Sequence, residues 1–406
     1  SLPRVAGEIL PEASMTHRSK LPSTVYLLGL TIFSLVTAEF MVAGMMPALA
    51  EAFSVSLAEV GNLIAFYAVG MALGGPPVTI MLLARRVSNK RALVGLLVLY
   101  VCASALAAAA QSYLVLAIAR VVMGVSSAAC IGLSITICAG LVAKHERGRA
   151  ISVVLAGLML SPVAGVPMTA WVEQHFGWRV SAWIVVLLAV ICTSIAALRL
   201  PTATPGGEPP LSSQWAQLKN RSLWGAYLTS GLIIGATFAA FSYCTPILIE
   251  EVGVKPGHVA PLLALYGVAN LLGNTLVGRI ADRHTMSALG WGLALMVLVL
   301  AGFALAGEHT WLNLVCFIAL GLTGVALNPA MAARVMKAAE PIAMVNTLHT
   351  SVITAGLAFG SWAGGAVIEQ GYGLRAPLWV GSAIAFVGLL SVWRPVVFRP
   401  KVEACV

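Results

Sequence analysis

TVYLLGLTIFSLVTAEFMVAGMMPAL, residues 24–49, carries a single charged side chain, Glu39, well inside both ends. An apolar run of about 20 residues is long enough to cross a bilayer as a helix. A charge at the centre of such a helix costs about 2.5–3.5 kcal/mol on insertion scales, so it is normally kept for a use. Two uses are open. Glu39 can be a hydrogen-bonded strut between helices, or a proton or cation site lining a cavity.

The rest of the chain has the same character. Of its 406 residues, 59% are hydrophobic and only 10% are charged, against about 25% charged in an average soluble domain. The net charge of +9 does not point to nucleic acid, because the basic residues sit in short loops between apolar spans. Twelve such spans are expected, at 24–49, 60–83, 92–110, 113–142, 150–171, 180–199, 223–248, 259–280, 286–306, 311–335, 342–367 and 375–394. They should all be helices, since lipid cannot satisfy open backbone groups. Arg85, Arg86, Lys90, Arg91, Lys144, Arg147, Arg149, Arg279, Arg283, Arg334 and Lys337 fall on one side, and only Arg179, Lys255 and Arg375 on the other. The first side is therefore expected to be cytoplasmic, with both termini inside. No removable leader is expected, because the first span is too long and lacks a small-residue cleavage site. Met15 reads as a natural start. The cysteines have no metal or redox spacing, and neither metal nor cofactor is expected.

The domain reading is an N-terminal tail expected to be disordered (1–22), a six-helix bundle (23–199), a linker (200–222), a second six-helix bundle (223–394) and a tail (395–406). The linker contains PTATPGGEPP at 201–210, and residues 211–223 are expected to form a short amphipathic helix on the membrane surface. EQHFGWR at 173–179 and EQGYGLR at 369–375 end the fifth and eleventh spans, 196 residues apart. A parallel repeat of six spans is a transporter plan with its site between the halves.

Arg120, in the fourth span, lies about 10–14 Å below the outer surface, as Glu39 does, at 1.5 Å per residue. The two are candidates to pair or to share a polar cavity, and an arginine beside a carboxyl alters its proton affinity. The fifth span reads GLMLSPVAGVP, with Gly157, Ser161 and Gly165 at four-residue spacing and Pro162 and Pro167 favouring a bend. The eleventh repeats the pattern with Gly356, Gly360 and Gly364. The second half has no acid or arginine to match Glu39 and Arg120. Its spans carry Tyr243, Asn270, Asn328 and His349 instead.

These residues resemble the major facilitator superfamily, specifically its twelve-helix drug/proton antiporters. Thr37-Ala38-Glu39-Phe40, with Gly44 and Pro47, is similar to the first-helix signature of the arabinose-efflux and chloramphenicol-efflux branch. Arg120 and Gly124 match the fourth-helix basic motif, and Gly157 to Gly165 with Pro162 match the fifth-helix antiporter motif. Gly278, Asp282 and Arg283 match the cytoplasmic loop motif, whose first-half counterpart, residues 83–91, keeps its basic residues but has no Asp.

The resemblance implies an all-α integral membrane protein of two six-helix bundles in a bacterial-type inner membrane. It implies a monomer that exports small amphipathic molecules in exchange for protons. Export of sugars or nucleosides is the alternative. Glu39 and Arg120 would couple protons, while Phe40, Tyr67, Tyr243, Asn270, Asn328 and His349 would bind substrate. Tyr67, Tyr243, Asn270 and His349 are expected to reach a common central cavity. Gly124, Gly157, Pro162, Gly165, Gly278, Asp282 and Arg283 would serve the conformational change. An intramembrane enzyme would need paired acids, a metal cluster or a nucleophile with its base. An ATP-driven pump would need a Gly-Lys phosphate loop, which is missing from the sequence.

Overall fold

The computed structural model describes residues 21–85, 87–143, 146–201, 217–339 and 343–393, and leaves aside the side chains of Thr79, Leu83, Ala84, Asp282 and Ala343. Both expected tails lie essentially outside the described residues, as does most of the linker with its expected surface helix.

The described chain is helical throughout. Eleven helices are long and apolar enough to cross a membrane, and Ala376–Val392 is a shorter apolar one. Leu198, Trp291 and Trp311 are almost fully exposed on these helices, as lipid-facing residues must be.

Four spans depart from simple rods, each for a local reason. The first is helical over Ser23–Gly44, breaks at Met45 (φ −120°, ψ 23°), and resumes at Met46–Phe53 with Pro47 in its first turn. The seventh repeats this, running over Arg221–Phe241 and breaking at Tyr243 before Pro246. In both, a proline that cannot donate an N–H permits a break that hydropathy does not reveal. The fifth span bends as expected at Pro162, through a π-turn over Ser161–Gly165. The tenth is interrupted at Thr323 and Gly324, where the glycine takes a positive φ of 61°. The eighth and ninth are two spans as expected, Pro256–Ala281 and Arg283–Leu305, and the chain changes direction between them at the non-helical His284 (φ −125°, ψ 42°).

Small residues set the helix packing, and they do so twice. The first span lies on the fifth, where a Cβ on Gly157 would stand 2.0 Å from the Gly29 carbonyl oxygen. The seventh lies on the eleventh in the same way, where a Cβ on Gly360 or Gly356 would stand 2.0 or 2.2 Å from the carbonyl oxygens of Gly235 and Gly231. A Cβ on Gly124 in the fourth span would stand 2.0 Å from the Tyr67 carbonyl oxygen, and one on Gly321 in the tenth 2.6 Å from that of Tyr266. Close backbone approach of this kind replaces the hydrophobic drive that lipid removes. The repeated heptapeptides are explained similarly. Arg179 donates to the Ala108 carbonyl at the end of the third span, and Arg375 to those of Phe303 and Gly307 at the end of the ninth.

The first six spans meet the last six mainly through the second against the eleventh and the fifth against the eighth. Among the described residues, three hydrogen bonds cross between them at the ends away from the basic loops. Thr245 Oγ1 donates to the Ala43 carbonyl (2.7 Å), Ser361 Oγ to that of Gly61 (3.0 Å) and Gln174 Nε2 to that of Pro256 (2.7 Å). Gly267 in the eighth span packs on the Pro162 carbonyl of the π-turn, where an added Cβ would be only 2.3 Å away.

Candidate functional site

Glu39 and Arg120 are both buried, at 5% and 2% exposure. Arg120 reaches across from the fourth span and spends its donors on backbone carbonyls. Nη1 donates to Ala38 (2.6 Å), Nη2 to Glu39 (2.9 Å) and Nε to Leu63 in the second span (3.1 Å). Its guanidinium also lies over the Tyr67 ring, 4.4 Å from the centroid, a favourable cation–π geometry. A buried charge must be compensated, and here three carbonyl dipoles and a ring face do so.

The arginine thus grips the backbone of the turn that carries Glu39, not its carboxyl. No described residue hydrogen-bonds the Glu39 carboxyl, and no ion pair joins Glu39 to Arg120 among the described residues. Hydrophobic periodicity could not have separated these two arrangements.

Tyr67 extends the cluster by donating to the Leu35 carbonyl at 3.3 Å. Tyr100 and Ser127 bury their hydroxyls without a hydrogen-bond partner among the described residues. Tyr100 escaped the sequence reading because nothing in the third span's pattern distinguishes it from a packing aromatic. Beside Arg120, a cavity of about 40 Å³ opens between the first, third, fourth and sixth spans. Met41, Met45, Met123, Trp178 and Ser104 line it with Arg120. The methionines had no distinguishing signal in the sequence, but thioethers suit a wall that adapts to varied ligands.

The other candidates lie apart. Phe40 stacks on Phe238 of the seventh span at 5.1 Å, and so stands between the two sets of helices. Tyr243 donates to the Ser361 carbonyl at 2.8 Å, and its hydroxyl fills the space that Gly61 leaves open. Asn270 is buried with Oδ1 unpartnered among the described residues. Asn328 is half-buried and begins the helix after the break in the tenth span. His349 shares a hydrogen bond with Ser230 (2.9 Å) and stacks on Tyr227 at 5.6 Å. Among the described residues, no hydrogen bond or ring contact joins any two of Tyr67, Tyr243, Asn270 and His349.

The conformational candidates fall into two groups. Gly124, Gly157 and Gly165 are at sites of backbone or side-chain contact, and Thr37 Oγ1 would lie 2.1 Å from a Cβ on Gly165. Thr37 also hydrogen-bonds Ser161 of the π-turn at 3.2 Å. Gly278 has room, with Pro329 no nearer than 3.8 Å, and Arg283 is exposed. The Asp282 side chain lies outside the described set.

At matching positions the second half carries aromatic residues in place of the charges of the first. Pro47 and Pro246 are 199 residues apart, as are Tyr67 and Tyr266. The same offset sets Phe238 against Glu39. Four residues before Gly321, where Arg120 precedes Gly124, stands Phe317, which stacks on Tyr266 at 5.4 Å. An aromatic pair, Phe317 and Tyr266, occupies the place of the arginine–tyrosine pair.

The profile of the Major Facilitator Superfamily matches residues 28–342 and, overlapping, 245–404. The inner membrane transport protein YdhP of Escherichia coli (strain K12) is 29% identical over 375 residues, which is 92% of this chain and 96% of that one. A chloramphenicol resistance protein of Streptomyces lividans is 30% identical over 376 residues, covering 91% and 95%. Among solved structures, a bacterial homolog of the human lysosomal transporter Spinster, in an inward-facing and occupied conformation, superposes with a TM-score of 0.71. That alignment covers 92% of this chain and 97% of the other at 17% identity, a likeness of fold alone.

Proposed function

The chain belongs to the Major Facilitator Superfamily, and on that premise we propose that it exports small amphipathic molecules, drugs among them, in exchange for protons. It is a multi-pass membrane transporter and not an enzyme. In the proposed cycle, residues 23–199 and 223–394 act as two six-helix bundles that rock about a shared site. A single copy of the chain completes the machinery.

Glu39 is the proton carrier in this reading. The observation that carries it is a buried carboxyl beside a guanidinium whose three hydrogen bonds all go to backbone carbonyls. A structural ion pair would have locked the carboxylate, whereas here the carboxyl is left to exchange a proton when its helix turns toward water. Arg120 is the fixed positive charge against which the proton competes.

Phe40 is the best placed of the substrate candidates, because its ring already bridges the first and seventh spans. Asn270 supplies a buried acceptor on the other side. A largely apolar wall with a few polar groups suits amphipathic ligands. Tyr67, Tyr243, Asn328 and His349 act in this scheme through the helices they tie together. Gly124, Gly157, Pro162 and Gly165 keep the first, second, fourth and fifth spans in sliding contact, while Gly278, Asp282 and Arg283 serve the cytoplasmic closure.

The test is uptake into inverted membrane vesicles under an imposed pH gradient. The panel should include chloramphenicol, because a relative bears that resistance in its name. Gradient-dependent uptake of one or more amphipathic compounds is expected, abolished by Glu39→Gln. Uptake by the wild type that ignores the gradient would overturn the proton-coupled reading.

A further inference from the structure

Pro47 leaves an unpaid hydrogen bond in the first span. Lacking an N–H, it cannot donate to the carbonyl four residues earlier, that of Ala43. Ala43 is only 1% exposed, so water does not substitute for the missing donor. The donor comes from another helix, since Thr245 Oγ1 in the break of the seventh span lies 2.7 Å from the Ala43 oxygen.

This is not the usual bond for a hydroxyl in a span. Thr31, Thr193, Thr229 and Thr237 each donate to a carbonyl of their own helix four residues back. Thr245 departs from that pattern because the seventh span is itself broken just before Pro246. The two proline breaks face one another, and each supplies what the other lacks: one an orphaned acceptor, the other a free donor.

The bond also ends a continuous path. Within the helical first span, the Ala43 amide donates to the Glu39 carbonyl. That same carbonyl accepts from Arg120 Nη2 at 2.9 Å. Arg120, the Glu39 peptide, the Ala43 peptide and Thr245 are therefore linked in series from the fourth span to the seventh.

We propose that Thr245 is a positioning residue whose hydroxyl latches the Pro47 break to the seventh span in the outside-closed state. It holds the turn bearing Glu39 in register with Arg120. Opening toward the outside requires that this bond break and that water take over the Ala43 carbonyl. The inference rests on the alternating-access reading above.

Cys244, next in sequence and 2% exposed, reports the opening. The full-length protein is labelled in proteoliposomes with a membrane-impermeant maleimide, without substrate or pH gradient, and modification of Cys244 is followed by peptide mass. Thr245→Val, isosteric but without the donor, should label faster by about 2–10-fold, the factor that one net hydrogen bond represents. Thr245→Ser should label at the wild-type rate. In a Pro47→Ala background, where residue 47 regains its N–H, Thr245→Val should cause little further change.

An unchanged rate in Thr245→Val would overturn the latch. So would a Ser variant that behaves like Val, because serine keeps the donor and the hydroxyl would then not be what sets the rate. A full effect of Thr245→Val persisting in the Pro47→Ala background would refute the orphaned-carbonyl argument. Because labelling needs no gradient, loss of the latch is distinguishable from loss of proton coupling, which Glu39→Gln transport decides separately.

Discussion

Replacing Gly157 by alanine adds one methyl group at the tightest contact between the first and fifth spans. The new Cβ would stand 2.0 Å from the Gly29 carbonyl oxygen, and 3.0 Å from both the Gly29 carbonyl carbon and the Phe33 nitrogen. All three are backbone atoms, so no rotamer change relieves the overlap. Ordinary contact begins near 3.4 Å, and the helices must therefore part by about 1.4 Å at this point. Overpacking of this kind costs about 1–3 kcal/mol. Alanine also favours the helix by up to about 1 kcal/mol over glycine, which would mask part of the loss. Gly95→Ala supplies the correction, since its Cβ would meet nothing within 4 Å and the propensity gain is the same. The difference between the two variants is then the packing cost alone, about 1–3 kcal/mol. The assay is the thermal midpoint of both purified proteins in one detergent, with pH-driven transport measured in parallel. Gly157→Ala should melt several degrees below Gly95→Ala and exchange more slowly or leak. Equal midpoints would refute the claim that this glycine is there for backbone contact.

Four further outcomes are expected. Glu39→Gln should fold and insert normally but lose gradient-driven transport, as read by uptake into inverted vesicles; wild-type coupled flux would remove Glu39 from the mechanism. Arg120→Lys should fall between wild type and Arg120→Ala in coupled flux, because one ammonium cannot reproduce a planar fork holding three carbonyls; normal transport by the alanine variant at every pH would leave Arg120 without a coupling role. Gly165→Leu should lock or unseat the fifth span against Thr37, whereas Gly278→Ala should be nearly silent in midpoint and flux. His349→Ala and Ser230→Ala should each lower the thermal midpoint, with the double variant losing less than the sum of the two, since they share one hydrogen bond; strictly additive losses would show that this bond contributes nothing.

The sequence alone determined that this chain crosses a membrane many times, where its charged residues lie and which small residues recur. Lipid explains why. A bilayer rewards long apolar helices whatever surrounds them, so span number and orientation are one-dimensional properties. Glu39 and Arg120 were conspicuous for the same reason, as charges that apolar surroundings make costly. The GLMLSPVAGVP stretch likewise announced close packing and a bend, and both are present.

Only the tertiary structure decided what those groups touch. That Arg120 holds the peptide carbonyls of Ala38, Glu39 and Leu63 depends on the rotation and height of three helices relative to one another. Hydropathy carries no information about either. The break at Met45 was hidden because a broken and an unbroken helix are equally apolar. Tyr67, Tyr243, Asn270 and His349 looked alike as polar groups in greasy spans. Each was sorted to a different contact by a turn of about 100° per residue acting with the neighbours that happen to face it. Thr245 was invisible among many threonines until the chain folded, because its importance lies in a carbonyl 202 residues away that a proline had left without a partner.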